Sequence, residues 1–369
     1  MSKRALIISG VLWNAAYQRH HLNAHVLCDA GFEVDFIEGC KTSRFTLLKL
    51  FNHIFIKIKN TITRKAGNKL INNKNIRIRT LNSALLPPGG LLIGILNRVI
   101  FYFTIGKKLR NDYDVILVYV PTDHIKFIKV DNSLIVYDCV RAFSKWGGYH
   151  RALYKNEIDL LNIADKIMCD SYYLKNIHLP SMLDGIVVDH IMPPAEVPLR
   201  GASPSVTTIN RIGYFGSISE HIDTNIFKSL INSGYEVFFW GLDDDNLLPD
   251  SVVNMGYVSG QEALLDSIIA ECDAIIIPYI RELDGVFPAK LSLSLASGLP
   301  VFCSKFYDAT LLSDMLYVYN DFNGLHKLLT QYSLQSHISK YHASKLFLEK
   351  SNLKVYKRKI LDLIDETYD

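Results

Sequence analysis

Between Lys41 and Arg110 the sequence contains no aspartate and no glutamate, while fifteen lysines and arginines fall within the same stretch. The whole chain carries only +3, so the remainder sums to −12, the difference between +3 and the window's +15. An otherwise acidic protein thus carries one basic segment. That segment holds no recognised nucleic-acid motif, and its aromatics sit among aliphatics in apolar stripes, so a nucleic-acid partner is not expected. Cysteine is sparse. The six cysteines (Cys28, Cys40, Cys139, Cys169, Cys272, Cys303) form no C-x-x-C pair, which speaks against both a disulfide framework and a zinc site and for buried thiols in a reducing compartment. Long apolar runs are also missing: Leu91 to Ile105 is broken by Asn97 and Arg98 and is too short to span a bilayer. The start, MSKRALIISG, shows no signal-peptide h-region. A cytoplasmic protein, peripherally associated with the inner membrane face, is the expectation. No G-x-G-x-x-G follows the first strand, which weakens a classical dinucleotide-binding reading.

What is present is an alternation of apolar runs and helical patterns. At 369 residues the chain exceeds what one core ordinarily supports, and 49% hydrophobic with 21% charged residues is a globular balance. RALIIS, a helix stopping at Gly31 and FEVDFIE read as a βαβ unit, hence a parallel sheet. The Pro-, Ser- and Gly-rich MPPAEVPLRGASPSV (192–206) reads as a connection between two α/β halves. The expected organisation is an N-terminal domain over 1–194 with a basic membrane-facing segment at 41–110 and a linker at 195–206. A C-terminal domain over 207–345 and a terminal helix over 346–369, able to cross back to the first domain, complete it. Within the basic window, RFTLLKLFNHIFIKIKN (44–60) places Phe45, Leu48, Phe51, Ile54 and Phe55 at helix-like spacing with Lys49, Lys57 and Lys59 nearby, and LLIGILNRVIFYFTIGKKLR (91–110) is apolar with a basic end; a basic, aromatic-rich amphipathic helix suits an anionic membrane surface.

The chain is organised around AIIIPYIRELDGVFPAKLSLSLASGLPVFCS (274–304). It reads as a buried strand, a polar loop, a helix opened by Pro288 and stopped at Gly298, and a second strand. The loop therefore delivers a helix start to the carboxyl end of a parallel strand, where open α/β sheets bind ligands and where free N–H groups favour phosphate. Lys290, one turn in, adds a full charge.

The run PAKLSLSLASGLPVFCS resembles the P-x-K-x-x-E-y-L-A-s-G-k-P-V-v segment of glycosyltransferases of the GT-B fold, many of which assemble bacterial polysaccharides. The resemblance extends in register over about 210–304: a strand and glycine loop (INRIGYFGSISEHID), MGYV, and the Pro-Tyr strand before the P-x-K helix. It departs at Leu293 and Gly285, where many relatives carry the two glutamates of an E-x7-E pattern; Glu282 or Asp284 stands near enough to substitute. The resemblance implies an α/β protein of two Rossmann-like domains facing across a cleft. It implies donor binding by Gly216, Ser217, Tyr257, Val258, Arg281, Asp284, Pro288 and Lys290. In the N-terminal half, W-x(5)-R-x-H-L resembles a loop touching acceptor or donor sugar, with Trp13, Arg19, His20 and His21 at stake. IVYDCVRAFSKW resembles a YDCVDDW stretch of polysaccharide transferases. Asp138, ending a buried strand, is a candidate general base alongside His21. Arg141, standing where the family has a second acid, is a candidate grip on an acceptor phosphate.

The implied activity is transfer of a sugar from a nucleotide-sugar, UDP-linked, to a glycan or lipid-linked saccharide, without cofactor or metal. A sugar-nucleotide epimerase or hydrolase of the same fold, and a non-catalytic membrane-associated assembly partner, stand as alternatives.

Overall fold

The computed structural model describes residues 3–15, 17–43, 77–110, 112–145, 148–195, 197–201, 203–219, 221–243, 246–280, 283–288 and 290–365. The apolar run 44–60, expected as an amphipathic helix, lies outside the described residues. The chain divides into two compact units. Unit 1 comprises Met1–Asp170, Leu174–Ile191 and Lys357–Asp369; unit 2 comprises Ser171–Tyr173 and Met192–Tyr356. The change to unit 2 at 191–192 falls just ahead of the 195–206 stretch, which lies wholly in unit 2.

In unit 1, short runs such as RALII and VILV are apolar at nearly every position, the pattern of strands covered on both faces. They form β1 (Arg4–Ile8), β2 (Glu33–Glu38), β3 (Ile78–Asn82), β4 (Val115–Val118), β5 (Leu134–Cys139), β6 (Lys166–Cys169) and β7 (Asp189–His190). Between them run α1 (Arg19–Asp29), α2 (Leu91–Phe103), α3 (Arg151–Ile163) and the short α4 (Leu179–Met182). The sheet order is β3-β2-β1-β4-β5-β6-β7, all pairs parallel. The order reverses between β1 and β4, the switch point of a doubly wound sheet.

Part of the basic window turns out to be locally paired. The wholly buried Asp35 receives both Nε and Nη2 of Arg79, at 2.8 and 2.5 Å, and the Tyr113 hydroxyl at 2.6 Å. Glu33 meets Arg110 at 2.5 Å and Arg77 at 3.8 Å. Three of the arginines thus clamp β2 and β3 and leave the surface charge to others.

Unit 2 repeats the plan. Its strands are β8 (Arg211–Phe215), β9 (Glu236–Trp240), β10 (Val253–Gly256), β11 (Ala274–Ile277), β12 (Val301–Ser304) and β13 (Tyr317–Tyr319). They lie in the order β10-β9-β8-β11-β12-β13, again all parallel, with the switch point between β8 and β11. The helices are α5 (Thr224–Asn232), α6 (Gln261–Glu271), α7 (Lys290–Ala296), α8 (Tyr307–Leu311), α9 (Phe322–Thr330) and α10 (Leu334–Lys350). Its core gathers Ile212, Tyr214, Phe227, Phe239, Ile276 and Phe302, each such burial worth about 1.5–3 kcal/mol.

The single terminal helix expected over 346–369 is broken. Helix α10 ends at Ser351, and Asn352 starts α11 (Leu353–Asp365) by accepting the Val355 N–H at 2.9 Å. An asparagine side chain satisfies an orphan donor there as a cap does. From Lys357 onward α11 belongs to unit 1, with Ile360, Leu363 and Ile364 buried and Lys357 bonded to Asp29 at 2.8 Å.

Candidate functional site

In unit 2 the carboxyl ends of the strands around the switch point carry a run of bare backbone. After β8 the chain turns through Gly216 at φ 114°, and after β9 through Gly241 at φ 155°. Both values lie in the region that glycine alone adopts readily. The strand ladder continues past the formal ends, with Gly216 N–H donating to Trp240 O at 2.8 Å and Gly241 N–H to Gly256 O at 3.1 Å. The backbones come so close that a β-carbon on residue 241 would lie 2.1 Å from the Gly216 carbonyl oxygen. Gly241 was not among the expected site residues. Its signal is a pairwise approach between two loops, which no single stretch of sequence displays.

Lys290 opens α7 beside this shelf. Its Nζ donates to the Tyr214 hydroxyl at 2.7 Å, and that hydroxyl donates to Ser217 O at 3.1 Å, so one chain of hydrogen bonds holds the loop to the ammonium. The ammonium stands 4.3 Å from the Tyr214 ring centroid and 5.7 Å from that of Tyr279. A β-carbon on residue 216 would lie 2.9 Å from it. Among the described residues Lys290 forms no ion pair, and burial against these rings lowers its pKa from 10.5 to about 7. Among the described residues its partners are a phenol and two ring faces, next to a glycine turn, an arrangement whose chemistry suits an anion.

The other expected donor residues are distributed around this point. Pro288 O accepts the Leu291 N–H at 2.9 Å in the first turn leading into α7. Ser217 is exposed, as is Tyr257 just past the end of β10, and Val258 is half-buried. Asp284 turns toward α8, accepting the Tyr307 N–H at 2.8 Å. Leu293 is buried on α7, so position 293 contributes to packing where the resemblance has a carboxylate. Arg281 and Glu282 lie outside the described residues.

In unit 1 the residues after β1 form two clusters. Arg19 and Asp138 are both buried, with Arg19 Nε donating to Asp138 Oδ2 at 2.7 Å; the same guanidinium reaches Ile191 O and, at 3.7 Å, Met168 Sδ. Asn23 Nδ2 approaches Asp138 Oδ2 at 3.4 Å. Burial raises the Asp138 pKa and the Arg19 charge opposes that rise. The pair fastens the start of α1 to the end of β5. In this geometry the Asp138 carboxylate is enclosed, whereas a general base must reach its substrate's proton. His21 is likewise occupied at both ring nitrogens. Nδ1 accepts the Gln18 N–H at 3.0 Å, which leaves Nε2–H to donate to Leu12 O at 3.2 Å. The imidazole caps α1, and burial lowers its pKa. Trp13 packs edge-on against it, ring centroids 5.2 Å apart, and Trp13 N–H donates to Glu38 at 2.6 Å.

His20 differs from both. Its Nδ1 lies 2.8 Å from Ser9 Oγ and its ring stacks on Tyr119 at 3.7 Å, at the ends of β1 and β4. No hydrogen bond engages its Nε2 among the described residues. Burial, with the charges of His21 and Arg19, lowers its pKa to about 3, so it is a neutral imidazole at physiological pH. Arg141 donates to the Tyr149 hydroxyl at 3.0 Å and is half-buried.

No family model matches the chain, and no curated protein matches it. Solved structures do. The chain is similar to a sucrose-phosphate synthase from Thermosynechococcus elongatus, with TM-score 0.69 and 11% identity over 99% of both chains. Anabaena HepE in complex with UDP gives TM-score 0.66 and 10% identity over 99% of this chain and 100% of that one. A UDP-forming α,α-trehalose-phosphate synthase from Burkholderia xenovorans, in complex with glucose-6-phosphate, gives 0.60 and 11% over 98% and 100%. At such low identity the likeness speaks to architecture: two parallel α/β sheets, each doubly wound, in the GT-B fold.

Proposed function

We propose that the protein is a glycosyltransferase that moves a sugar from a UDP-linked donor to a saccharide or lipid-linked acceptor in cell-surface polysaccharide synthesis, at the inner face of a membrane. The observation that carries this reading is the Lys290 ammonium, without a carboxylate partner among the described residues, beside the side-chain-free Gly216 turn at the switch point of unit 2. In the reaction the bond from the anomeric carbon to the diphosphate oxygen breaks, a bond to the acceptor oxygen forms, and the acceptor hydroxyl's proton passes to the departing diphosphate or to solvent. Negative charge develops on the leaving diphosphate, which a preorganised cation and loop amides stabilise. Lys290 and the Ser217 amide are assigned that role, the Gly216 N–H being already donated to Trp240 O, so transfer is expected to persist in a chelator. Two structural neighbours, one in complex with UDP and one a UDP-forming synthase, support a uridine nucleotide.

For the acceptor side, the reading favours His20, whose Nε2 carries no hydrogen bond among the described residues, over Asp138, Arg19 and His21, which are committed within unit 1. The test is calorimetric titration with UDP-, GDP-, ADP- and dTDP-sugars, in chelator and then with added Mg²⁺. Micromolar binding of one nucleotide-sugar, lost in Lys290→Ala, is the expected result. Failure of all four to bind would overturn the reading.

A further inference from the structure

Helix Leu91–Phe103 is inverted relative to an ordinary surface helix. Leu91, Leu92, Ile95, Leu96, Val99, Tyr102 and Phe103 are all exposed, the first two above 80%. At 100° per residue these positions share one arc of about 140°. The opposite side carries Asn97 and Phe101, which are the buried positions. Attachment to unit 1 runs through that polar residue. The Asn97 side chain bonds the backbone N–H and O of Leu86 at 2.8 and 3.0 Å and Asp123 Oδ2 at 2.8 Å; Asp123 in turn accepts from Asn156 at 2.9 Å. Hydrogen bonds pin the helix from within, and its apolar face is presented outward. An exposed contiguous apolar face of this kind marks an interaction surface.

The charge around it selects the partner. Arg98, Lys107 and Lys108 are exposed and pair with no carboxylate among the described residues, and Lys107 lies over the Tyr102 and Phe103 rings at 5.7 and 5.1 Å. The sequence from 41 to 110 contains no acid at all. No helix among the described residues is long and apolar enough to cross a membrane. An apolar face flanked by unpaired cations and aromatics, on a helix about 20 Å long, suits lying in the interfacial plane of an anionic bilayer.

We infer that helix Leu91–Phe103 docks unit 1 on anionic lipid, its apolar arc inserted and Arg98, Lys107 and Lys108 at the headgroups. This deepens the transferase reading, and rests on it, only in naming the surface at which the acceptor is met. The test is co-sedimentation of the full chain with phosphatidylglycerol/phosphatidylcholine vesicles and with phosphatidylcholine alone. Binding is expected to the anionic vesicles, to weaken as salt rises, and to fall at least about tenfold in Leu92→Glu/Val99→Glu and in Lys107→Glu/Lys108→Glu. All four positions are exposed, so unchanged circular dichroism and melting are expected to accompany the loss. A Tyr102→Cys variant carrying an environment-sensitive dye is expected to report a polar setting in solution and an apolar one on vesicles.

Absence of vesicle binding, or equal binding by the variants, would overturn the inference. So would a dye already shielded without lipid, which would assign the face to another part of this chain. A dimer in velocity sedimentation that Leu92→Glu/Val99→Glu dissociates would assign it to a second copy instead. Nucleotide-sugar titration of the same preparations without lipid separates the two readings. Vesicle binding without donor binding sinks the transferase alone, and donor binding without vesicle binding sinks the docking alone.

Discussion

Lys290 stands near neutrality because burial taxes its charge and no described carboxylate repays it. A diphosphate would repay it, so donor binding is expected to take up a proton at pH 8, visible as a dependence of calorimetric enthalpy on buffer ionisation. Affinity is then expected to weaken as pH rises above about 7, by up to about tenfold per unit until the bound-state pKa is passed. The stability sign is the reverse of a salt-bridged lysine's. The folded-state value lies below the unfolded 10.5, so the charge costs stability most below pH 7 and the cost fades as pH rises toward 10.5. Lys290→Met is therefore expected to abolish donor binding while raising stability at pH 6, by about 1 kcal/mol after allowing for its partial exposure, and by less at pH 9, as urea titrations at the two pH values would show. Gly241→Ala is expected to lose about 3 kcal/mol or more, read as a lower melting temperature, since its β-carbon would meet the Gly216 oxygen at 2.1 Å. The P-x-K pattern made Lys290 legible in the sequence. Tyr214 was not, because an aromatic inside RIGYF reads as core whether or not its hydroxyl emerges beneath an ammonium.

Helix α1 is held at its first turn by two devices, the Arg19–Asp138 pair and the His21 cap. Arg19→Met leaves the Asp138 carboxylate buried and unpaired, for an expected loss of about 3–5 kcal/mol in chemical denaturation. Asp138 already has its folded-state pKa raised, so its contribution falls as pH rises through that value. Without Arg19 the pKa moves further up, and the variant is expected to lose more stability at pH 8 than at pH 5. The motif that joined Trp13, Arg19 and His21 in the sequence marks residues that the fold does bring together. Its residues gather at the end of β1, but Arg19 and His21 are spent on holding α1, and the partner of Arg19 lies 119 residues away. A pairing of that span leaves no trace in local spacing. Helix Leu91–Phe103 shows the converse: its composition was readable as apolar with a basic end, yet which side faced outward depended on Asn97, one polar residue whose partners are Leu86 and Asp123.

A seven-strand and a six-strand sheet that share a 3-2-1-4-5-6 order, extended by β7 in unit 1, follow from the alternation of apolar runs and helices, which is why the architecture was readable along the chain while the closing helix was read as continuous. The break at Ser351–Asn352 lets residues from Lys357 onward serve unit 1. Ending the chain after Asn352 would strip Ile360, Leu363 and Ile364 from that unit, and faster hydrogen exchange in β1 and α1 is expected, with β8 and β11 less affected. The path of the chain also bears on how such a protein changes over generations. Because unit 1 draws on residues before 192 and from Lys357 onward, the main stretch of unit 2 is an insert bounded near 192 and 356. Exchanging unit 2 by recombination, and with it the donor preference assigned to it under the proposed reading, therefore takes two crossovers at once, and a single fusion point at the 195–206 stretch would hand each hybrid the closing helix of the wrong parent.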